Sequence, residues 1–103
     1  MNLITAPVKL ESGETVLLAK LPRRSLRRPG ATDHAFAISE RIRATLRNET
    51  ARASPIVVTE GELNSADDLP FYGPAEICGR LAKAHRRGQL KVLMWSPVTV
   101  ADS

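Results

Sequence analysis

The sequence predicts a single α+β domain that spans residues 1–103. A chain of 103 residues has room for one compact domain and one core. Apolar residues make up 43% of the chain and charged residues 25%, which is the balance of a globular protein. Strand-like runs come first and helix-like apolar stripes follow, so both kinds of element are expected.

The first 21 residues have the pattern of a β-hairpin. The segment from Leu3 to Leu21 is rich in Val, Leu, Ile and Thr, and Ser12-Gly13 interrupts it. Such a break between two β-prone runs predicts two short strands joined by a tight turn. The run Val16-Leu17-Leu18-Ala19 departs from strict alternation because it is continuously apolar.

Residues 22–32 form a basic segment that is not expected to be a long helix. The segment contains three residues that disfavour a continuous helix, namely Pro22, Pro29 and Gly30. Between them lie four arginines, namely Arg23, Arg24, Arg27 and Arg28. The segment is either an arm that binds phosphate or a solvated basic connector.

A first helix is predicted to begin near residue 33 and to end near Asn48. Asp33 or Thr32 can cap its N-terminus. Its apolar residues have the spacing of a single helical stripe, and they are Ala35, Ile38, Ile42 and Leu46.

A short strand and a second helix are predicted next. Pro55 to Val58 is a short apolar run that is typical of a buried strand. Thr59-Glu60-Gly61-Glu62 has the Thr-x-x-Glu form of a capping box, which indicates that a helix starts at once. This helix should stop before Leu69-Pro70.

The last predicted elements are a third helix and a pair of strands. Pro74 suits the first turn of a helix and Gly88 suits its C-terminal stop. Its inward stripe comprises Ile77, Leu81 and Ala84. Leu90 to Trp95 is then expected to form a strand, Ser96-Pro97 a turn and Val98 to Val100 a returning strand.

The order of elements over residues 33–101 resembles the winged helix-turn-helix superfamily. The residues that carry this resemblance are the short strand Ile56 to Val58 and the series Ile77, Leu81, Ala84, Gly88 and Leu90. The resemblance implies a winged-helix-like core of helix, short strand, helix, helix and two-stranded wing, preceded by the N-terminal β-hairpin. It also implies that the third helix is the one that reads DNA.

The resemblance further implies a double-stranded DNA-binding regulator of transcription. On the third helix, Arg80, Lys83 and Arg87 are spaced by three and four residues, which places them on one outward stripe. Arginine and lysine on such a stripe can reach phosphates or guanine edges. Further candidate contacts are Lys91 beside the helix, Tyr72 before its start, and the basic arm of Arg23, Arg24, Arg27 and Arg28. A homodimer that reads paired half-sites is a possible assembly.

The distribution of charge favours an alternative function. The net charge is +4, yet residues 53–79 hold five acidic and no basic side chains. Asp67, Asp68 and Glu76 stand next to the proposed reading helix, where carboxylates repel phosphate. A protein-binding adaptor or inhibitor of the phage or plasmid type, docking through its acidic or basic face, is the alternative.

The sequence gives little support to an enzyme, and no metal or other cofactor is predicted. His34 and His85 do not belong to a spaced metal motif, and no glycine-rich phosphate loop occurs. Cys78 is the single cysteine, so no intramolecular disulfide can form, which fits a reducing compartment. No segment reaches the ~18 apolar residues that cross a bilayer. We therefore expect a cytoplasmic protein with no membrane partner.

Overall fold

One mixed sheet with a helix on each face organises the chain. The computed structural model describes residues 2–21, 29–60, 71–90, 92 and 94–101. The strands, in chain order, are β1 (Asn2–Lys9), β2 (Thr15–Leu21), β3 (Ile56–Glu60), β4 (Phe71–Tyr72) and β5 (Ser96–Thr99), and their order in the sheet is β4-β3-β2-β1-β5. The helices are α1 (Ala31–Thr45), α2 (Glu49–Ala53) and α3 (Ala75–Arg86).

The first two strands form an antiparallel hairpin at the centre of the sheet. Val8 pairs with Val16 and Ile4 with Lys20. In the turn, the Leu10 amide donates to the Glu14 carbonyl at 2.9 Å, and Gly13 takes a φ of 87°, which glycine adopts at little steric cost. We refer to residues 10–14 as the hairpin turn.

A crossover connection through α1 and α2 makes β3 parallel to β2. Leu17 pairs with Ile56 and Ala19 with Val58 in this parallel ladder. A parallel neighbour requires such a long connection because the chain must return to the same end of the sheet. The resulting sheet is mixed, with β4 and β5 antiparallel to the strands beside them.

The helix α1 has the predicted apolar stripe but a different start. Ala35, Ile38 and Ile42 are buried. Gly30 at the N-cap has a φ of 82° and no side chain caps the helix, so the prediction of a cap at Asp33 or Thr32 is wrong. Asp33 instead lies in the first turn, where a carboxylate suits the positive end of the helix dipole.

Two separate apolar cores lie on the two faces of the sheet. The core under α1 contains Leu3, Leu17, Ala19, Leu21, Ala35, Ile38, Ile42, Ile56, Val58 and Val100. The core under α3 contains Val8, Leu10, Val16, Leu18, Val57, Ile77 and Leu81. Successive residues of β2 and β3 point to opposite cores, since side chains alternate along a strand.

The helix α3 lies where the sequence predicts a helix, with Ile77 and Leu81 buried and Ala84 half-buried. Its C-terminus is closed by Gly88, whose φ is 68°, and by the Gln89 amide donating to the Ala84 carbonyl at 2.9 Å. This is the αL closure that glycine favours at a helix end.

The winged-helix prediction is wrong. The strand β5 does not fold back on residues 90–95 as a wing, because it pairs with β1 instead, Leu3 opposite Val98 and Asn2 opposite Thr99. Ser96-Pro97 lies inside β5 and forms no turn, and none of the described residues 90, 92, 94 and 95 is in a strand. The physical reason is burial, because pairing with β1 places Val100 in the core under α1 and packs the partly buried Val98 against it.

The prediction that a second helix starts at Thr59 is also wrong. Thr59 lies within β3 and its side chain is fully buried, so it cannot cap a helix there. The rest of that predicted helix, residues 61–70, lies outside the described residues. The sequence reading did not predict the short helix α2, which begins after Asn48 with the Asn48 side chain accepting from the Thr50 amide at 3.0 Å.

Candidate nucleic-acid interface

Three of the predicted binding residues share a shallow groove on the α3 face. Arg80, Lys83 and Arg87 border a depression of about 250 Å³ between α3 and the hairpin turn. We call it the α3 groove. Its lining, in full, is Leu10, Glu11, Ser12, Arg80, Lys83, Ala84, Arg87 and Gln89.

Arg80 is engaged by two carboxylates. Its guanidinium donates to Glu76 Oε1 at 2.6 Å, one helical turn away, and to Glu14 Oε2 at 3.2 Å in the hairpin turn. The Arg80 side chain is 47% exposed, so these ion pairs are largely solvated and contribute little to stability. They nevertheless place negative charge around Arg80 and connect the hairpin turn to α3.

The C-terminal end of α3 differs from its middle because three of its cations are not engaged by any carboxylate of the described residues. Lys83, Arg86 and Arg87 are exposed, and no carboxylate of the described residues lies within ion-pair distance of them. We call these three residues the α3 cations. Cations near a helix C-terminus are favoured by the helix dipole, which helps to explain why they are tolerated together.

Sequence reasoning did not select Arg86, Ser12 or Gln89 as candidate site residues. The spacing of three residues between Lys83 and Arg86 is a signal that could have found Arg86. No local signal identifies Ser12, because its place beside α3 depends on how the hairpin turn meets the helix. Gln89 follows the glycine stop and reaches the groove through the closure at Gly88.

Tyr72 lies on the opposite face of the sheet from the α3 cations. It is half-buried against the core under α1, whereas its neighbour Phe71 packs on the core under α3. Tyr72 lines a second groove of about 370 Å³ whose rim carries Phe36, a side chain that is 67% exposed. The structure therefore does not bring Tyr72 together with Arg80, Lys83 and Arg87.

The other predicted binding residues fall outside the described part of the chain. Lys91 and the four arginines of the basic segment, Arg23, Arg24, Arg27 and Arg28, all lie at positions that the structure does not describe. Their predicted contacts with phosphate stay predictions from the sequence.

The described residues offer few features of a catalytic or metal centre. Among them, no group of three or more His, Cys, Asp or Glu side chains is placed to hold a metal ion. Cys78 is half-buried beside the core under α3, and burial raises the pKa of its thiol. A raised pKa makes the reactive thiolate scarcer. None of the described helices is both long and apolar enough to cross a membrane.

Comparison of the chain with known proteins found no relative. Neither a protein-family model, nor a curated protein, nor a solved structure matches the chain.

Proposed function

We propose that the protein binds the phosphate backbone of nucleic acid through the C-terminal end of α3. One observation carries this proposal: the α3 cations are three exposed positive charges without a carboxylate partner among the described residues. A phosphate that approaches them does not have to break an ion pair with any carboxylate of the described residues. At Arg80, by contrast, an incoming phosphate has to compete with Glu14 and Glu76.

The expected mode of binding is contact with the backbone. Phosphate contacts position a nucleic acid and carry no sequence information by themselves. The described part of the chain supplies no wing beside α3, because β5 pairs with β1 in the sheet. We therefore expect modest affinity with little sequence preference.

The proposal predicts how strongly the affinity for nucleic acid depends on salt concentration. Each neutralised phosphate releases condensed counterions, so the affinity falls as salt rises. Three contacts predict a slope of log Kobs against log salt of about −2 for single strands and about −3 for duplex DNA. Removing two of the three contacts should reduce that slope to about −1.

The test is fluorescence anisotropy of labelled mixed-sequence oligonucleotides at several salt concentrations. We compare the wild-type chain with the double variant Lys83→Ala, Arg87→Ala. The matched control is Arg47→Ala, Arg52→Ala, which removes the same charge from two exposed arginines, one in the link between α1 and α2 and one in α2. We expect the first variant to lose affinity and salt dependence, and the control to retain the slope.

Two results would contradict the proposal. One is no binding of any oligonucleotide even at low salt. The other is an equal loss in both double variants, which would mean that total charge matters and the position on α3 does not.

The alternative of a protein-docking module has one feature in its favour, the exposed Phe36 at the rim of the second groove. Exposed aromatic side chains are enriched in protein interfaces. The described residues do not define the chemistry of a partner, so this alternative stays a prediction from the sequence.

A further inference from the structure

The α3 groove has a chemical composition that phosphate binding alone does not require. Its lining combines two apolar residues, Leu10 and Ala84, with two neutral polar residues, Ser12 and Gln89. Lys83 and Arg87 border the same groove. A surface that only attracts phosphate needs the cations and not the apolar and amide groups.

We infer that the α3 groove accepts an unpaired nucleotide, with the base inside and the phosphates at Lys83 and Arg87, so that the protein prefers single-stranded to duplex nucleic acid. This inference rests on the proposed function. It goes further, because it specifies the form of the ligand and assigns roles to uncharged residues.

The size of the groove favours one nucleotide. Its volume is about 250 Å³, and small-molecule sites in proteins occupy roughly 300–1,000 Å³. The groove is therefore slightly smaller than sites in that range, which suits one splayed-out base and no larger ligand. The stacked bases of a duplex cannot enter it.

The position of the cations disfavours duplex reading. Arg80 and Arg87 are seven residues apart, two turns of α3, and therefore lie on the same side of the helix. That side faces the hairpin turn, since Arg80 contacts Glu14 there. A helix that reads duplex DNA has to enter a major groove about 12 Å wide. The hairpin turn beside α3 obstructs such an approach, whereas a flexible single strand can follow the groove.

Glu11 adds an acidic residue to the lining of the α3 groove. Its negative charge repels phosphate, so we expect the nucleic-acid backbone at Lys83 and Arg87 instead. A carboxylate can accept hydrogen bonds from the exocyclic amino group of a base, as it does from cytosine N4. The Ser12 hydroxyl and the Gln89 amide can both donate and accept. These groups together suit the edge of a base.

The test compares three labelled probes by anisotropy at low salt: a 12-nucleotide mixed-sequence DNA single strand, the RNA strand of the same sequence, and the DNA duplex. The variant is Ser12→Ala, Gln89→Ala, which leaves every charge in place. Its matched control is Thr32→Ala, Thr45→Ala, which removes two exposed neutral side chains from α1. A thermal melt of each variant checks that it is folded.

We expect at least one single strand to bind about ten-fold more tightly than the duplex. The groove variant should lose roughly ten-fold in single-strand affinity, because two hydrogen bonds of ordinary strength are removed. Its duplex affinity should be unchanged, and the control should match the wild type.

The possible failures are distinguishable. Salt-dependent binding in which the duplex equals or exceeds both single strands would overturn the inference and leave the proposed function standing. An unchanged single-strand affinity in the groove variant would also overturn it. Absence of binding to all three probes would reject the proposed function and the inference together.

Discussion

The two faces of the sheet are covered by helices of different character. On one face, α1 buries Ala35, Ile38 and Ile42 at 2% exposure or less. On the other face, α3 buries Leu81 completely and leaves Ile77 8% exposed. Half-buried side chains complete that second core, and they are Phe71, Cys78, Leu90, Val92 and Trp95. The face with the looser helix is also the face that carries the α3 cations.

This difference separates a supporting face from a binding face. The helix α1 is part of the crossover between β2 and β3, and it packs on the sheet through a continuous apolar stripe. The helix α3 contributes fewer buried residues and presents polar groups next to the hairpin turn. If the contrast holds, substitutions in the two cores and at the Arg80 ion pair should have different consequences.

The largest effect on stability is expected from substitutions that open a cavity in one of the two cores. Ile38→Ala should lower the free energy of unfolding by roughly 2–5 kcal/mol, because a fully buried side chain leaves a cavity. Ile77→Ala should cost less, since Ile77 lies at the margin of its core. Urea denaturation measures both. Equal costs would mean that the two faces are packed equally tightly.

A smaller effect on stability, of opposite sign, is expected from a substitution of Thr59. Its hydroxyl is buried in β3 and has no hydrogen-bond partner among the residues that the structure describes. Replacing a buried, unpaired hydroxyl by a methyl group removes a desolvation cost, so Thr59→Val should stabilise the protein by about 1 kcal/mol.

The matched control for Thr59 is Thr5→Val. Thr5 is also buried in a strand, but its hydroxyl donates to the Ser96 carbonyl at 3.5 Å. Thr5→Val should therefore give no gain in the midpoint of thermal unfolding. A Thr59→Val variant that is less stable than wild type would show that the Thr59 hydroxyl has a role in the folded protein.

The smallest effect is expected from the ion pair at Arg80. Glu14→Gln removes one of the two carboxylates that engage Arg80, so Arg80 becomes more available to phosphate. Oligonucleotide affinity should rise about two-fold, while stability should change by less than about 1 kcal/mol because the pair is exposed. Reduced affinity would indicate that the Arg80 to Glu14 contact is needed to shape the groove.

The two longer helices, α1 and α3, could be predicted from the sequence because their signals are local, whereas the short helix α2 was not predicted. The stripes Ala35, Ile38, Ile42 and Ile77, Leu81 lie where the periodicity places them. Their partners in the sheet could not be predicted in the same way. Whether β5 pairs with residues 90–95 or with β1 is decided by contacts between residues more than ninety positions apart.

One local signal pointed to the observed sheet. The run Val16-Leu17-Leu18-Ala19 lacks alternation because β2 is central and covered on both faces. Continuous apolar runs are typical of strands buried on both sides. Ile56-Val57-Val58 has the same character in β3. A hairpin appended to a separate helical core would leave one face of β2 in water, which this run disfavours.

The candidate site was predictable only in part. Helical spacing identified Arg80, Lys83 and Arg87 as neighbours, and the structure places all three at one groove. The sequence could not reveal that Glu14 engages Arg80, because that contact joins residues 66 positions apart. It could not reveal either that Tyr72 faces the core under α1.

The most direct test of the central claim, that nucleic acid binds at the end of α3, is a titration of the ¹⁵N-labelled protein with a 12-nucleotide single strand, followed by amide chemical shifts. We predict that the perturbed amides cluster in the hairpin turn and in residues 80–89. Amides of α1 around Phe36 should be unaffected. Perturbations centred on α1, or none at oligonucleotide concentrations that saturate the anisotropy signal, would contradict the account.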